Sequence, residues 1–194
     1  DLGGLNRKAP GAGDILAASG KDVVIYETVG VGQGEHDIAK AADITIVLLV
    51  PESGDDVQLM KAGLIEIADI FVVNKADRNG SEKLAQSISS VLHIFKNNEN
   101  FEPPVFKISA DRGDGVESLF QGISNFLNDK VYASYLENKK ISRYKNRVLS
   151  IIQEFLISDF WTGSNIKKFE SMIDKLEISE LSPHRTAKKL LKNK

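Results

Sequence analysis

The sequence predicts an α/β fold: a parallel sheet with helices on both faces, followed by an all-helical segment. Three observations predict it. Short apolar, β-branched runs alternate with segments of helical period four times between residues 22 and 128. Loops rich in Gly, Asn, Asp and Ser follow those runs at their carboxyl ends, where ligands of open parallel sheets gather. From about residue 131 the period is helical only. The division expected from this is residues 1–130 for the α/β part and 131–194 for the helical part.

In chain order, residues 1–13 hold five Gly or Pro and read as loop, with a short helix possible over Ile15 to Ser19. Val23, Val24 and Ile25 form the first predicted strand, of the kind covered on both faces. Gly34 to Ala42 is a helix candidate and Ile44 to Val50 the second strand, broken by Pro51 to Gly54. A helix is expected from Asp55, with Met60, Leu64 and Ile67 on one face. Ile70 to Val73 is the third strand. Ser81 is expected to cap a helix carrying Leu84, Ile88, Val91, Leu92 and Phe95. Val105 to Ile108 is the fourth strand, and Asp114 and Glu117 have capping-box spacing before a helix with Val116, Leu119, Phe120, Ile123 and Leu127 inward. Beyond residue 131, Tyr144, Val148, Ile151 and Phe155 make one stripe, and Ile166, Phe169, Ile173 and Leu176 another, separated at Gly163. Ser182-Pro183 opens a last helix.

With 194 residues, 42% hydrophobic and 27% charged, the chain can bury a real core. A net charge of -2 sets up no field that would recruit nucleic acid or an acidic membrane. The absence of cysteine excludes disulfides, thiolate metal sites and cysteine nucleophiles. The longest apolar run, Ile44 to Val50, is too short to cross a bilayer, so no membrane association is expected. The chain begins with Asp1 in a segment that reads as the middle of something, so a missing N-terminus is expected and the lack of a targeting signal carries little weight.

Three motifs carry chemistry. In ETVGVGQ, Glu27 follows the first strand and Gly30 lies three residues on. A carboxylate in that place can hold Mg²⁺ through water, and a Gly N–H can face a phosphoryl oxygen. A strand followed by a Gly-rich turn is the bland alternative. Asn74-Lys75-Ala76-Asp77 follows the third strand. The Asp77 carboxylate can accept both the ring N–H and the exocyclic amine of guanine, donors that adenine does not offer, and an unpaired polar group costs about 1–3 kcal/mol. The Asn74 amide can brace the loop or the base edge, and the Lys75 stem can lie on the base face. The same letters also suit an ordinary β-to-α turn. Ser109-Ala110, at the end of the fourth strand, is placed for a backbone N–H to meet the guanine carbonyl oxygen. The order of the three, each at a strand end, outweighs any one of them.

The strings ETVGVGQ at 27–33, PESGDDVQLMKAG at 51–63, DIFVVNKAD at 69–77 and LSPHRTAKKLL at 181–191 resemble the MeaB/ArgK family of GTPases over nearly the whole chain. The family is associated with methylmalonyl-CoA mutase and was long labelled lysine/arginine/ornithine transport kinases. The resemblance implies a three-layer sheet of the P-loop NTPase type, with a C-terminal helical arm that forms a homodimer. It implies GTP or GDP and Mg²⁺ as ligands. Its catalytic group would be Glu27 at the metal, Gly30 as γ-phosphate sensor and Gln33 in the switch loop. Asn74, Lys75, Asp77, Ser109 and Ala110 would hold guanine. A further switch at Glu52 to Lys61, with Asp55, Gln58 and Lys61, would relay nucleotide state to a methylmalonyl-CoA mutase or related cobalamin-dependent mutase. The activity implied is a GTP-hydrolysing chaperone for cofactor loading and protection, cytoplasmic in a bacterium and mitochondrial in a eukaryote.

One departure matters. The family carries a GxxxxGK[ST] phosphate loop and its strand upstream, and no stretch of this sequence matches it. Poor GTP binding, if any, by these residues alone, and an incomplete set of sites, are therefore expected. A protein-interaction module with a degenerate nucleotide site is the alternative. Nothing resembles a kinase catalytic loop, so the transport-kinase reading rests on the old label alone. Other candidates have plain readings beside the functional ones. Gln33 orients water or makes a structural bond. His36 is a ligand or a solvated helix residue. Asp55 and Asp56 bind a metal or open a helix. Lys188, Lys189, Lys192 and Lys194 contact an anion or form an exposed face. Phe160 and Trp161 pack between helices or subunits, or stack on a ligand.

Overall fold

In the computed structural model, residues 8–28, 35–51, 63–95, 101–174 and 182–191 are described. They form α1 (Ala9–Ala18), α2 (Glu35–Ala41), β1 (Ile46–Leu49), α3 (Leu64–Ile67), β2 (Ile70–Val73), α4 (Ser81–Phe95), β3 (Val105–Lys107), α5 (Val116–Asn128), α6 (Lys130–Phe160), α7 (Gly163–Asp174) and α8 (Pro183–Leu191). The chain divides into two compact units, one through Tyr144 and one from Lys145.

The first unit is organised around β2. Its sequence, Ile70-Phe71-Val72-Val73, is fully buried, and it pairs in parallel with β1 on one side and β3 on the other. Ile46 stands opposite Ile70, and Phe71 opposite Val105. Side chains alternate across a strand, so Phe71 and Val73 point to one face, where Val47, Ile65, Ala85, Ile88 and Leu92 close over them. Ile70 and Val72 point to the other face, against Ile108, Phe106, Leu119 and Ile123. α3 and α4 thus cover one face and α5 the other, which is the three-layer α/β class that the alternation predicts.

The first predicted strand differs. Residues 23–28 belong to no ladder, and the structure contains a three-stranded sheet among the described residues where four strands were expected. Val23 and Ile25 are 76% and 86% exposed. A strand is held by ladder bonds and by burial, and this segment has neither. It is anchored instead by Tyr26, whose ring end lies against α1 at Gly13, where an added Cβ would stand 1.6 Å from Tyr26 Oη. β1 is also shorter than its apolar run, and only one face of it is covered: Val47 is buried and Leu48 is 59% exposed.

The helix boundaries show the local rules at work. α1 begins at Ala9, inside the expected loop, because Pro10 is compatible with a first helical turn. Ser81 lies within α4 and donates its hydroxyl to the Ala76 carbonyl at 2.8 Å, so it ties the preceding loop and does not cap. The capping box is also absent: α5 starts after Gly115, at φ 75°, with no side-chain cap. The helix expected from Asp55 lies mostly outside the described residues, and α3 begins at Leu64.

Two groups tie the start of α6 to the sheet unit. Phe101, Phe126, Tyr132 and Tyr135 pack as an aromatic cluster with ring centroids 4.7–6.2 Å apart. Beside it, the fully buried Asp69 carboxylate at the entry to β2 accepts the Thr45 N–H at 2.5 Å and the Tyr135 hydroxyl at 2.6 Å, and pairs with Lys139. Arg143 continues the contact, 2.7 Å from Asp43.

In the second unit, α6 ends at Phe160 and α7 starts at Gly163, where the pattern breaks. Trp161 packs edge-on against Phe160 and Phe169, which is the interhelical role and not a stacking platform. No residue of α6 is buried, and Phe155 of its predicted stripe is 66% exposed. Lys188 and Lys189 lie on the exposed side of α8, whose Leu190 is buried.

Candidate functional site

The site lies at the carboxyl ends of β2 and β3. As β2 ends, Asn74 N–H still donates to the Leu49 carbonyl of β1 at 2.8 Å. Lys75 then takes φ 56°, a left-handed conformation in which a non-glycine residue costs about 1–3 kcal/mol. Local bonds hold it there. Ala76 N–H donates to the Ile108 carbonyl at 2.9 Å, Arg78 N–H to the Lys75 carbonyl at 2.9 Å, and the Ser81 hydroxyl grips Ala76. The strained turn aims the Asn74 carboxamide and the Asp77 carboxylate at the loop after β3.

That loop is equally constrained. Ser109 N–H donates to the Asp114 carbonyl at 2.9 Å, and the Ser109 carbonyl accepts from Arg112 N–H at 3.1 Å and Gly113 N–H at 2.8 Å. Gly115 closes the turn with positive φ. A Cβ there would meet the Lys107 carbonyl oxygen at 2.3 Å, so neither the conformation nor the space admits a side chain.

The two loops are joined by side chains. Asn74 Oδ1 accepts Lys75 N–H at 2.8 Å and Ala110 N–H at 3.1 Å. Ser109 Oγ donates to Asp77 Oδ1 at 2.8 Å, and Arg112 Nη2 stands 3.1 Å from Asp77 Oδ2. The Ser109 hydrogen bond is the main reason the Asp77 carboxyl sits below its ordinary value. Burial opposes it, and a backbone bond and the Arg112 and Arg78 charges add to it. Asp77 is therefore a carboxylate, acceptor-only, across the neutral range.

The structure brings Asn74, Lys75, Asp77, Ser109 and Ala110 together. Two details were not legible beforehand. Sequence reasoning gave Ser109-Ala110 a role through backbone N–H groups aimed at a base carbonyl, but here both N–H groups are engaged, with Asp114 and Asn74. Ser109 contributes its hydroxyl instead. Arg112 read only as part of a turn, and no sequence signal pairs it with Asp77. Glu27 lies exposed at the end of the extended segment and takes no part in this network. Gly30, Gln33, Asp55, Gln58 and Lys61 lie outside the described residues, as do Asp56 and Lys192 to Lys194.

A parallel sheet with helices on both faces and a helical C-terminus is the architecture of a fragment of the P-loop NTPase type. The family model described as methylmalonyl-CoA mutase-associated GTPase MeaB matches residues 1–165, and the chain belongs to that family. It is 36% identical over 189 residues to a Pyrococcus horikoshii protein whose name says GTPase and no more, covering 96% of this chain and 59% of that one. It is 31% identical to the mouse methylmalonic aciduria type A homolog, mitochondrial, over 98% of this chain and 47% of that one. It is 37% identical to the GTPase ArgK of Escherichia coli over 64% of this chain and 39% of that one. The chain thus spans 59% or less of the length of each of these three relatives.

Proposed function

We propose that this chain supplies guanine recognition and switching to a GTPase that acts as chaperone of a cobalamin-dependent methylmalonyl-CoA mutase. The observation that supports it most is the joining of the Asn74–Asp77 loop to the Ser109–Ala110 loop at adjacent strand ends, with an ionised Asp77 between them. An acceptor-only carboxylate suits two neighbouring N–H donors, and guanine presents such a pair where adenine does not. The mutase is drawn from the family description and the mouse relative's name.

Mg²⁺ would accompany the nucleotide and would neutralise charge on its phosphates. The described residues contain no cluster of three or more His, Asp or Glu able to cage a metal. A single carboxylate beside water and phosphate oxygens is a donor set that suits Mg²⁺, and the exposed Glu27 would supply that carboxylate. Gly30 and Gln33 complete the proposed switch loop, and Asp55, Gln58 and Lys61 the relay to the mutase. The helical arm is proposed to form a homodimer, in keeping with the apolar side chains that α6 leaves exposed, Leu149, Ile152, Phe155 and Leu156 among them. A strictly monomeric chain at micromolar concentration in light scattering contradicts that part. Among the described residues no helix is long and apolar enough to cross a membrane.

The test is a titration with a fluorescent GDP analogue in Mg²⁺, with ATP as competitor and Asp77→Ala as control. Binding that ATP does not displace and that Asp77→Ala abolishes is expected. Binding that survives Asp77→Ala overturns the pocket assignment.

A further inference from the structure

A carboxylate offers about four lone-pair positions, two on each oxygen. In this structure Ser109 Oγ donates to Oδ1 at 2.8 Å, a backbone bond adds to it, and the Arg112 guanidinium pairs with the carboxylate as a charge, Nη2 standing 3.1 Å from Oδ2. Both groups come from one turn, whose backbone is locked by the two N–H groups that converge on the Ser109 carbonyl and by the Ser109–Asp114 bridge. The clamp is therefore a unit, and it reaches Asp77 from the β3 side while the chain of Asp77 itself comes from β2.

We propose that Arg112 is a positioning residue for base recognition, which together with Ser109 holds the two oxygens of the Asp77 carboxylate toward a base with two adjacent N–H donors. The inference rests on the guanine-pocket reading above and adds to it a residue outside the recognised motifs. A carboxylate on a single rotatable bond can hold one hydrogen bond in many orientations. It can hold two to a planar base edge in only one, so a clamp on both oxygens acts chiefly on the second bond. The Arg112 side chain is 64% exposed, which keeps its effect on affinity small and leaves discrimination as the sensitive quantity. Arg78 also contributes charge near Asp77, whereas Arg112 stands 3.1 Å from one carboxylate oxygen, so the placement of the Arg112 guanidinium, and not positive charge alone, is what the clamp requires.

The experiment titrates the ¹⁵N-labelled full chain with GDP and with IDP in Mg²⁺, followed by NMR into the millimolar range. IDP lacks the 2-amine and so forms only one of the two bonds. Arg112→Ala is expected to weaken GDP about two- to fivefold, the span of an exposed ion pair, and to leave IDP within experimental error, so the GDP:IDP ratio falls. Arg112→Lys restores charge without the planar fork and is expected to recover less than half of the lost ratio. In Arg112→Ala the Asp77 carboxyl is also expected to titrate at a higher pH.

Equal weakening of GDP and IDP overturns the proposal in favour of a merely structural turn. Tighter GDP binding overturns it in favour of a guard that competes with the base, and full rescue by Lys reduces it to charge. Asp77→Ala separates the two levels. GDP binding that this variant leaves unchanged refutes the guanine pocket itself. A pocket lost with Asp77→Ala but with a ratio indifferent to Arg112 refutes the clamp alone.

Discussion

Substitution at the Asp69–Lys139 pair is expected to be strongly asymmetric. Asp69 is completely buried, whereas the Lys139 side chain retains 18% exposure. Replacing Lys139 with Met leaves the Asp69 carboxylate with the Thr45 N–H and the Tyr135 hydroxyl but no counter-charge and no route to water. Breaking a buried pair in this way costs about 3–5 kcal/mol. Replacing Asp69 with Asn is milder. The Asn oxygen can keep the Thr45 N–H, its amide can donate to a reoriented Tyr135 hydroxyl, and Lys139 can turn its ammonium outward. The expected cost is about 1–2 kcal/mol, a net hydrogen bond and little more. The double variant removes both charges and is expected to cost less than Lys139→Met alone, giving a large favourable coupling in the cycle. Domains of this size have about 5–15 kcal/mol in total, so the single Lys139 change should lower the urea midpoint visibly. Urea unfolding followed by circular dichroism supplies all four values. A larger cost for Asp69→Asn than for Lys139→Met, or additive single changes, refutes the reasoning.

Three further outcomes are expected. Phe126→Ala removes a 2% exposed ring from the aromatic cluster and should cost about 3–5 kcal/mol by urea unfolding, with a value under 1 kcal/mol speaking against a packed cluster. Gly115→Ala forces a Cβ into the Lys107 carbonyl at positive φ, and should destabilise by more than about 1 kcal/mol while disturbing the Ser109 and Ala110 amide signals together. The pH response of the site follows from Asp77. Its folded-state value lies below the ordinary 3.8, so its contribution is fully present above the unfolded value and is lost as pH falls through the folded one. Guanine-nucleotide binding attributable to Asp77 should therefore persist as pH is lowered to the ordinary carboxylate value, and Ser109→Ala should move the acid loss upward. A loss already complete near neutral pH would contradict this.

Much of the site was legible in the chain because its signals are local. An apolar run of β-branched residues followed at once by Asn-Lys-x-Asp places a motif at a strand end without any distant contact, and Ser109-Ala110 after Val105 to Ile108 does the same. The central strand, the helix over 81–95 and the break near Gly163 follow from period and composition for the same reason, and the quoted strings identify the family.

What only the tertiary structure decided depends on pairing between distant residues. Val23 to Ile25 has the composition of a buried strand, but a strand exists only where a neighbour offers its ladder, and among the described residues none does. Asp69 reads as a polar residue ahead of a strand, yet the return of α6 with Tyr135 and Lys139 makes it a buried ionic anchor. The same holds at the site. The sequence names Asp77 and Ser109, while the fold brings the Ser109 hydroxyl and the Arg112 guanidinium, 32 and 35 residues on, to the two oxygens of one carboxylate. Local sequence fixes which groups stand at a strand end. Chain closure alone fixes which groups face each other there.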